Sequence, residues 1–371
     1  MIPCSIPQRR FTEFSSSLDK ATIERRIPYM GIWELTHRCN QACRHCYCNL
    51  SLNDKRKKDE LKLDEIKRIL DEITEEGCLW LLFTGGDVLI REDFWDIYLY
   101  TLKKGILLEV FTNGSLITED VAKYFAEFPP LGIEISIYGS DPSVHDNITR
   151  IRGSFEKTLK GINNLLRYKV SFSLKTMLMT LNYHDLPNMQ NLARDLGVEF
   201  RFDCLICPRI DGEKTPLKYR LPVEKSVDLA LQTERDLMIY KEIFSEFYKR
   251  DYNATFICTA GINAFNINPY GILSPCCMFL SFQYPLREGS FRDAWGKLIG
   301  DYGNGTRDFI TPECRACSMV YICLSCAAWA ELETKRLDGK VDYLCEHALY
   351  LEKRFLEKIR EVKDEKALQE A

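Results

Sequence analysis

The chain has 371 residues, 46% of them hydrophobic and 28% charged, with a formal net charge of −4. That length admits one large domain plus a smaller one, and the balance is that of an ordinary globular chain. The acidic sign argues against non-specific nucleic-acid binding, and no apolar run approaches the ~20 residues of a membrane span.

Residues 1–28 read as a polar, irregular extension too short for a domain. They lack the order of a signal peptide, so a cytoplasmic location is expected. The apolar segment 29–36 predicts a first strand. Directly after it stand Cys39, Cys43 and Cys46, spaced C-x3-C-x2-C. Helical periodicity in Leu63, Ile66, Ile69, Leu70 and Ile73 predicts a helix over 62–76. Strands are then predicted at 79–84, 107–112, 132–138, 170–178 and 198–203, with helices at 92–103, 118–127, 154–167 and 185–195 between them. Six strands alternating with helices predict a parallel sheet with right-handed crossovers. Residues 205–222 read as an ordered loop, 223–249 as a helix, and about 346–366 as a last helix. The expected division is 1–28, a barrel at 29–222, a linker at 223–255, a cysteine-rich domain at 256–348, and a tail at 349–371.

Sixteen cysteines are many for a chain of this size. They cluster at 39–46, from Cys258 to Cys326, and at Cys345, which favours metal ligation over scattered core thiols or disulfides. Thiolates are soft ligands, suited to iron–sulfur clusters and zinc. Three thiolates would leave one iron of a [4Fe–4S] cluster open. Zinc at the first site would need a fourth ligand, which His37, His45 or Cys48 can supply. The site lies on the loop at a strand's C-terminal end, where parallel α/β folds place their chemistry.

The Cys39–Cys46 motif after a first strand resembles the signature of the radical S-adenosylmethionine (radical SAM) superfamily. The resemblance implies a partial (β/α)6 TIM-like barrel, a [4Fe–4S] cluster on Cys39, Cys43 and Cys46, and SAM chelated to the open iron. Reductive cleavage of SAM then yields a 5′-deoxyadenosyl radical that takes a hydrogen atom from the substrate. His45 or Tyr47 would pack near the adenine. Gly85-Gly86-Asp87 is similar to the family's Gly-Gly-Glu, implying that Asp87 reaches the SAM amino group although it is one methylene shorter. Thr112-Asn113-Gly114 is similar to the family's Thr-Asn-Gly, and Ser136 stands where related enzymes contact the SAM carboxylate. Without the resemblance, these read as two common turns and a strand serine. The pair His145-Asp146 is either an acid–base group or a loop brace; Lys175 points into the barrel or to a solvated edge.

The C-terminal cysteines resemble a SPASM domain, which carries auxiliary [4Fe–4S] clusters. By resemblance, Cys314, Cys317, Cys323 and Cys345 hold one auxiliary cluster, and Cys258, Cys276 and Cys326 begin the other. The family pattern ends C-x2-C-x5-C-x3-C, whereas Cys314 to Cys326 ends in x2. Some relatives carry another cysteine where this chain has Gly261-Ile262-Asn263-Ala264, so either Cys277 completes the second cluster or one iron is open. The alternative is one or two zinc knuckles. Cys204 and Cys207, after the sixth strand, are expected near the substrate side of the barrel mouth. There they would donate hydrogen to a substrate radical or ligate an auxiliary iron; otherwise they are buried packing thiols.

SPASM enzymes mostly modify peptides. The expected function is therefore radical SAM maturation of a ribosomal precursor peptide by crosslinking, thioether formation or epimerisation. The expected partners are that peptide, a separate leader-binding protein, since only 28 residues precede the first strand, and an electron donor such as flavodoxin or ferredoxin. A small metabolite or tetrapyrrole-like substrate, and a non-catalytic iron–sulfur or zinc protein, are the alternatives.

Overall fold

The computed structural model describes residues 11–369, except residue 49, most of 233–257, residues 304–308 and 310, and residues 320, 321, 324 and 325. Six parallel strands build its centre: β1 Met30–Thr36, β2 Trp80–Gly85, β3 Leu107–Thr112, β4 Gly132–Ser136, β5 Ser173–Met177 and β6 Glu199–Asp203. They pair in sequence order, β1 to β6, with every neighbour parallel. Helices follow the strands because their apolar stripes need the sheet's outer face to bury them. Ile66, Ile69, Leu70 and Ile73 of the helix Leu63–Glu75 are buried in this way, as are Phe155, Ile162 and Leu165 of the helix Ser154–Arg167. The partial barrel expected from the sequence is the observed architecture.

The sheet does not stop at β1. Three short strands from the cysteine-rich region extend it: β7 Ala264–Ile267, β8 Ile272–Ser274 and β9 Tyr284–Pro285. β7 runs parallel to β1, with Met30 opposite Ala264 and Trp33 opposite Ile267; β8 and β9 follow antiparallel. The C-terminal region thus continues the barrel's own sheet. Phe265, Phe291 and Trp295 share one apolar core with Trp33 and Phe83.

Three boundaries differ from expectation. The N-terminal extension contains a helix, Phe11–Arg25, not irregular chain. Its apolar residues are too few and too scattered to show the 3.6-residue period. Tertiary contacts hold it: buried Thr22 accepts from Asn263 Nδ2 at 2.9 Å, and just beyond the helix the Arg26 carbonyl accepts from Trp295 Nε1 at 2.8 Å. The predicted helix 223–249 is broken after Ala230 by a turn at Leu231, which is buried with Val227 and Phe244, and helix is present again at Leu237, Met238, Tyr240, Lys241 and Phe244. The last helix runs Asp342–Gln369, longer than predicted, with Phe355 stacked on Phe244 at 4.4 Å. Among the described residues, no helix is long and apolar enough to cross a membrane.

Candidate active site

The first cysteine loop leaves β1 from a heavily braced point. Glu60 accepts from Thr36 Oγ1 at 2.6 Å and from Arg38 through Nε at 2.9 Å and NH2 at 3.0 Å. Arg91 completes the cluster 3.6 Å from Glu60 and donates to the carbonyls of Leu35 and Leu61 at 3.0 Å. All of these groups are buried, so each charge depends on its partners. The loop is then stitched to its surroundings. Ala42 and Arg44 donate backbone hydrogen bonds to Thr149 and Ile148 at 3.0 Å, and Ile210 donates to the Tyr47 carbonyl at 3.0 Å.

Cys39, Cys43 and Cys46 edge one cavity at the C-terminal mouth of the barrel, together with Gly85, Gly86, Asn113 and Ser136. Cys39 Sγ accepts from Gln41 N at 3.3 Å and from Asn113 Nδ2 at 3.6 Å. Burial pushes the Cys39 thiol up to about 12 and raises Cys43 well above the ordinary range, each further opposed by its cysteine neighbours. Cys39 and Cys43 are by themselves poor thiolates, and positively charged irons would reverse that balance.

The two glycines form a cradle that other residues cannot form. Gly86 N donates to Thr36 O at 2.7 Å, and a Cβ added at Gly86 would collide with the Arg38 carbonyl oxygen. Gly85 sits at φ +126°, and its added Cβ would meet the Thr36 carbonyl. The neighbouring walls carry polar groups without protein partners. Gln41 Nε2, His45 Nδ1 and Thr176 Oγ1 are buried, have no hydrogen-bond partner, and belong to cavity-lining residues. A soft three-sulfur corner, a glycine cradle and unsatisfied polar atoms fit a [4Fe–4S] cluster carrying a small polar molecule such as SAM.

Asp87 departs from the expected role. It is 0% exposed and does not line the cavity. One carboxylate oxygen accepts from Leu89 N at 3.1 Å; the other accepts from Thr112 Oγ1 at 2.8 Å and Asn113 N at 2.9 Å. The short side chain fastens the Gly-Gly turn to the Asn113 turn instead of reaching inward. Asn113 is in turn held against the cysteine loop, donating to Asn40 Oδ1 at 2.8 Å.

Tyr47 also lines the cavity, but its hydroxyl is anchored on buried Glu34 at 2.7 Å. His45 is the freer ring. It packs edge-on against Tyr138 at 4.7 Å, and burial lowers its pKa to about 4, keeping it neutral. His145 and Asp146 act as the loop brace. Tyr138 N donates to His145 Nδ1 at 3.2 Å, and Asp146 accepts from Gly153 N at 2.6 Å, Ser154 Oγ at 2.8 Å and Phe155 N at 2.9 Å.

Lys175 points into the barrel. Its Nζ lies 2.9 Å from the centre of the Phe111 ring and 3.4 Å from Glu134, and Arg201 grips the same carboxylate. Burial is the main reason its pKa falls to about 7. Gln41, Thr176 and Arg201 were not singled out from the sequence. The available signal was strand alternation, since Lys175 and Arg201 are register partners and share one face.

Cys204 and Cys207 part company. Cys204 is 6% exposed, packs with Leu178, Leu186 and Met189, and does not line the cavity. Cys207 does line it, alongside Cys46. In the C-terminal region, Cys314, Cys317, Cys323, Cys326 and Cys345 line one separate cavity. Cys276 and Cys326 both pack against the main apolar core, and burial raises both thiols. Cys326 stands at the N-cap position of the helix Ala327–Thr334; burial raises its thiol, and the Trp329 and Ala328 N–H groups only partly offset that. No disulfide joins the described cysteines.

Residues 33–193 match the family model of the Radical SAM superfamily, so the barrel that carries the three cysteines is a radical SAM domain. Its relatives fall into two groups. The AdoMet-dependent heme synthase of Methanosarcina barkeri is 25% identical over 83% of this chain and 93% of its own length. The mycofactocin maturase MftC of Mycolicibacterium smegmatis is 35% identical, over 47% of this chain and 44% of its own length. Among solved structures, SuiB of Streptococcus suis bound to S-adenosylmethionine shares the fold at TM-score 0.66 and 16% identity, covering 92% of this chain and 84% of SuiB. The complex of SuiB with its precursor peptide SuiA gives TM-score 0.65 at 17% identity, covering 91% of this chain and 82% of SuiB.

Proposed function

We propose that this chain is a radical SAM peptide maturase with a SPASM-type C-terminal region. The observation that carries the radical chemistry is the convergence of Cys39, Cys43, Cys46, the Gly85-Gly86 cradle, Asn113 and Ser136 on one cavity. When bound there, the cluster and SAM supply a 5′-deoxyadenosyl radical that takes a hydrogen atom from the substrate. The chain's own part is to hold and exclude. The three thiols would hold the cluster, the Gly85-Gly86 backbone and Ser136 would receive the SAM amino-acid end, and the neutral His45 ring would pack by the adenine. Asp87 positions Asn113 and the glycine turn from behind.

The C-terminal cysteines fit auxiliary clusters, because five of them line one cavity although they are scattered in sequence. A peptide substrate is supported by the shared fold with SuiB, which has been solved with its precursor peptide, and by the likeness to MftC. A separate leader-binding protein and a flavodoxin or ferredoxin donor complete this reading.

A tetrapyrrole substrate is the second reading. Its support is the heme synthase alignment, which extends over 83% of the chain, and the basic side chains Lys175 and Arg201 on the cavity wall, which share the Glu134 carboxylate. The test is anaerobic turnover of the reconstituted protein with SAM and dithionite, scored as 5′-deoxyadenosine. Stimulation by a peptide encoded beside the gene supports the first reading, and stimulation by a carboxylated iron tetrapyrrole replaces it with the second. No SAM cleavage by cluster-loaded protein overturns both.

A further inference from the structure

We propose that the outer side of the first cysteine loop is the docking face for a small acidic one-electron carrier of the flavodoxin or ferredoxin kind. The proposal rests on the radical SAM reading and gives a place to the donor which that reading requires. Cys43 and Cys46 line two cavities. One is the barrel mouth; the other is a recess lined also by Arg44, Arg150, Arg209 and Tyr219, none of which lines the first. The wall between the two is therefore the cysteine loop itself. SAM and substrate take the inner cavity, so a protein donor is left the outer one.

The recess is basic, and its charge is held in place. Arg44 is clamped by Asn147, donating from Nε to the carbonyl at 2.9 Å and from NH2 to Oδ1 at 3.2 Å, and it reaches the Tyr219 hydroxyl at 3.4 Å. All three partners are neutral, so they leave the Arg44 charge uncompensated. Arg150 is exposed, at the left-handed C-cap of the helix Pro142–Thr149, with φ 60°. Glycine or asparagine holds that conformation with less strain, so local backbone preference does not explain an arginine there. Arg209 is balanced by Asp211 at 2.9 Å. Glu213 also lines the recess, but its carboxylate accepts from Thr215 N at 2.9 Å and Thr215 Oγ1 at 2.6 Å. The three segments that supply the rim, 43–46, 147–152 and 209–219, carry six basic residues and two acidic ones, whereas the whole chain has a net charge of −4. An acidic partner is thus steered to this face and repelled by the rest of the molecule.

Redox encounters use small, weak, charge-steered interfaces, and arginines on a braced loop suit one. One electron leaves the donor, whose anionic flavin hydroquinone becomes the neutral semiquinone or whose reduced iron–sulfur centre becomes oxidised, and is taken up at the site held by Cys43 and Cys46. No atom or proton moves in that step. The thin wall matters because electron-transfer rates fall steeply with distance. An acidic leader segment is the other occupant that the charge would admit. It has no need to touch Cys43 and Cys46, and their place in the recess is what favours the donor.

The experiment measures the affinity of the reconstituted full chain for an acidic flavodoxin and an acidic ferredoxin at low and at high salt. Arg150→Asp should weaken the probe that binds by about tenfold at low salt and by about twofold or less at high salt, where exposed charges are screened. Arg150→Asn suits the left-handed backbone and should still lose about threefold at low salt, which a folding defect would not explain. Lys103→Asp lies at the C-terminal end of the helix Phe94–Lys103, at the far end of the barrel from the mouth, and should stay within about twofold of the parent. Binding of neither probe to the parent, unchanged binding in Arg150→Asp, or equal losses in Arg150→Asp and Lys103→Asp overturns the proposal. So does a polyglutamate peptide that binds as tightly as the carrier with the same dependence on Arg150, because the face would then be a site for acidic segments. Dithionite needs no docking face and checks the underlying reading separately. No SAM cleavage with dithionite fails that reading; cleavage with dithionite beside carrier binding indifferent to Arg150 fails this proposal alone.

Discussion

The two cysteine regions reach their arrangements by opposite routes. Cys39, Cys43 and Cys46 lie within one short loop, and the fold's work is to hold that loop rigid. The buried Arg38–Glu60–Arg91 cluster, the Gly-Gly turn and Asp87 all serve that end. The C-terminal cysteines run from Cys258 to Cys345, and the fold's work there is to gather them. Strand β7 on the barrel edge, the cap at Cys326 and the last helix bring distant positions together. A contiguous motif reveals its ligands by spacing. A gathered site reveals only some of them, and a residue contributed by another part of the chain has no spacing at all.

The comparison breaks most clearly at the first loop. Changing Cys39, Cys43 and Cys46 together to Ala should abolish 5′-deoxyadenosine formation and remove about four irons, the content of one cluster. The C-terminal iron should remain, and parallel loss of all iron would show that the regions are not separate sites. Next in size is Gly86→Ala. Its methyl group must displace the Arg38 carbonyl, so SAM cleavage should fall at least tenfold, about 1.4 kcal/mol or more. Wild-type turnover in this variant would refute the cradle.

Glu60→Ala removes the shared partner of two buried arginines. Breaking a buried ion pair costs about 3–5 kcal/mol, so the denaturation midpoint should drop sharply. A loss below about 1 kcal/mol, the range of exposed pairs, would show that the brace is not what holds the loop. Asp87→Ala should cost roughly 1–3 kcal/mol of stability, the cost of leaving buried donors unmade. SAM affinity should fall only through the displaced Asn113, so Asn113→Ala added to Asp87→Ala should weaken SAM little further. Additive losses would mean that Asp87 reaches SAM after all.

The smallest effect is at Lys175. Its folded pKa of about 7 lies below the ordinary 10.5, so between those values the unfolded chain binds more protons. Stability should therefore rise with pH across that window from this group. Lys175→Met should flatten the rise, and an identical pH profile would place the amine in solvent.

Much of the barrel was legible because its periodicities are strong. The strand 107–112 and the helix 154–167 were expected with the observed limits. The first helix was hidden because contacts with Asn263 and Trp295 hold it, not its own pattern. β7 to β9 were hidden because strands of four, three and two residues give too few alternations to read. At the site, the grouping of Cys39, Cys43 and Cys46 showed in spacing but side-chain direction did not. Nothing in Gly85-Gly86-Asp87 reveals that the carboxylate turns back to Thr112 and Asn113. Likewise, nothing in Cys204-Leu205-Ile206-Cys207 shows that one thiol enters an apolar core while the other faces the cavity.

The most direct test of the central claim is low-temperature EPR of the reduced, reconstituted protein during titration with SAM. The account predicts that SAM shifts one cluster signal, that the shift survives loss of the C-terminal cysteines if the chain stays folded, and that it disappears when Cys39, Cys43 and Cys46 are changed to Ala. A spectrum unmoved by SAM, or a shift that persists without those three cysteines, would contradict it.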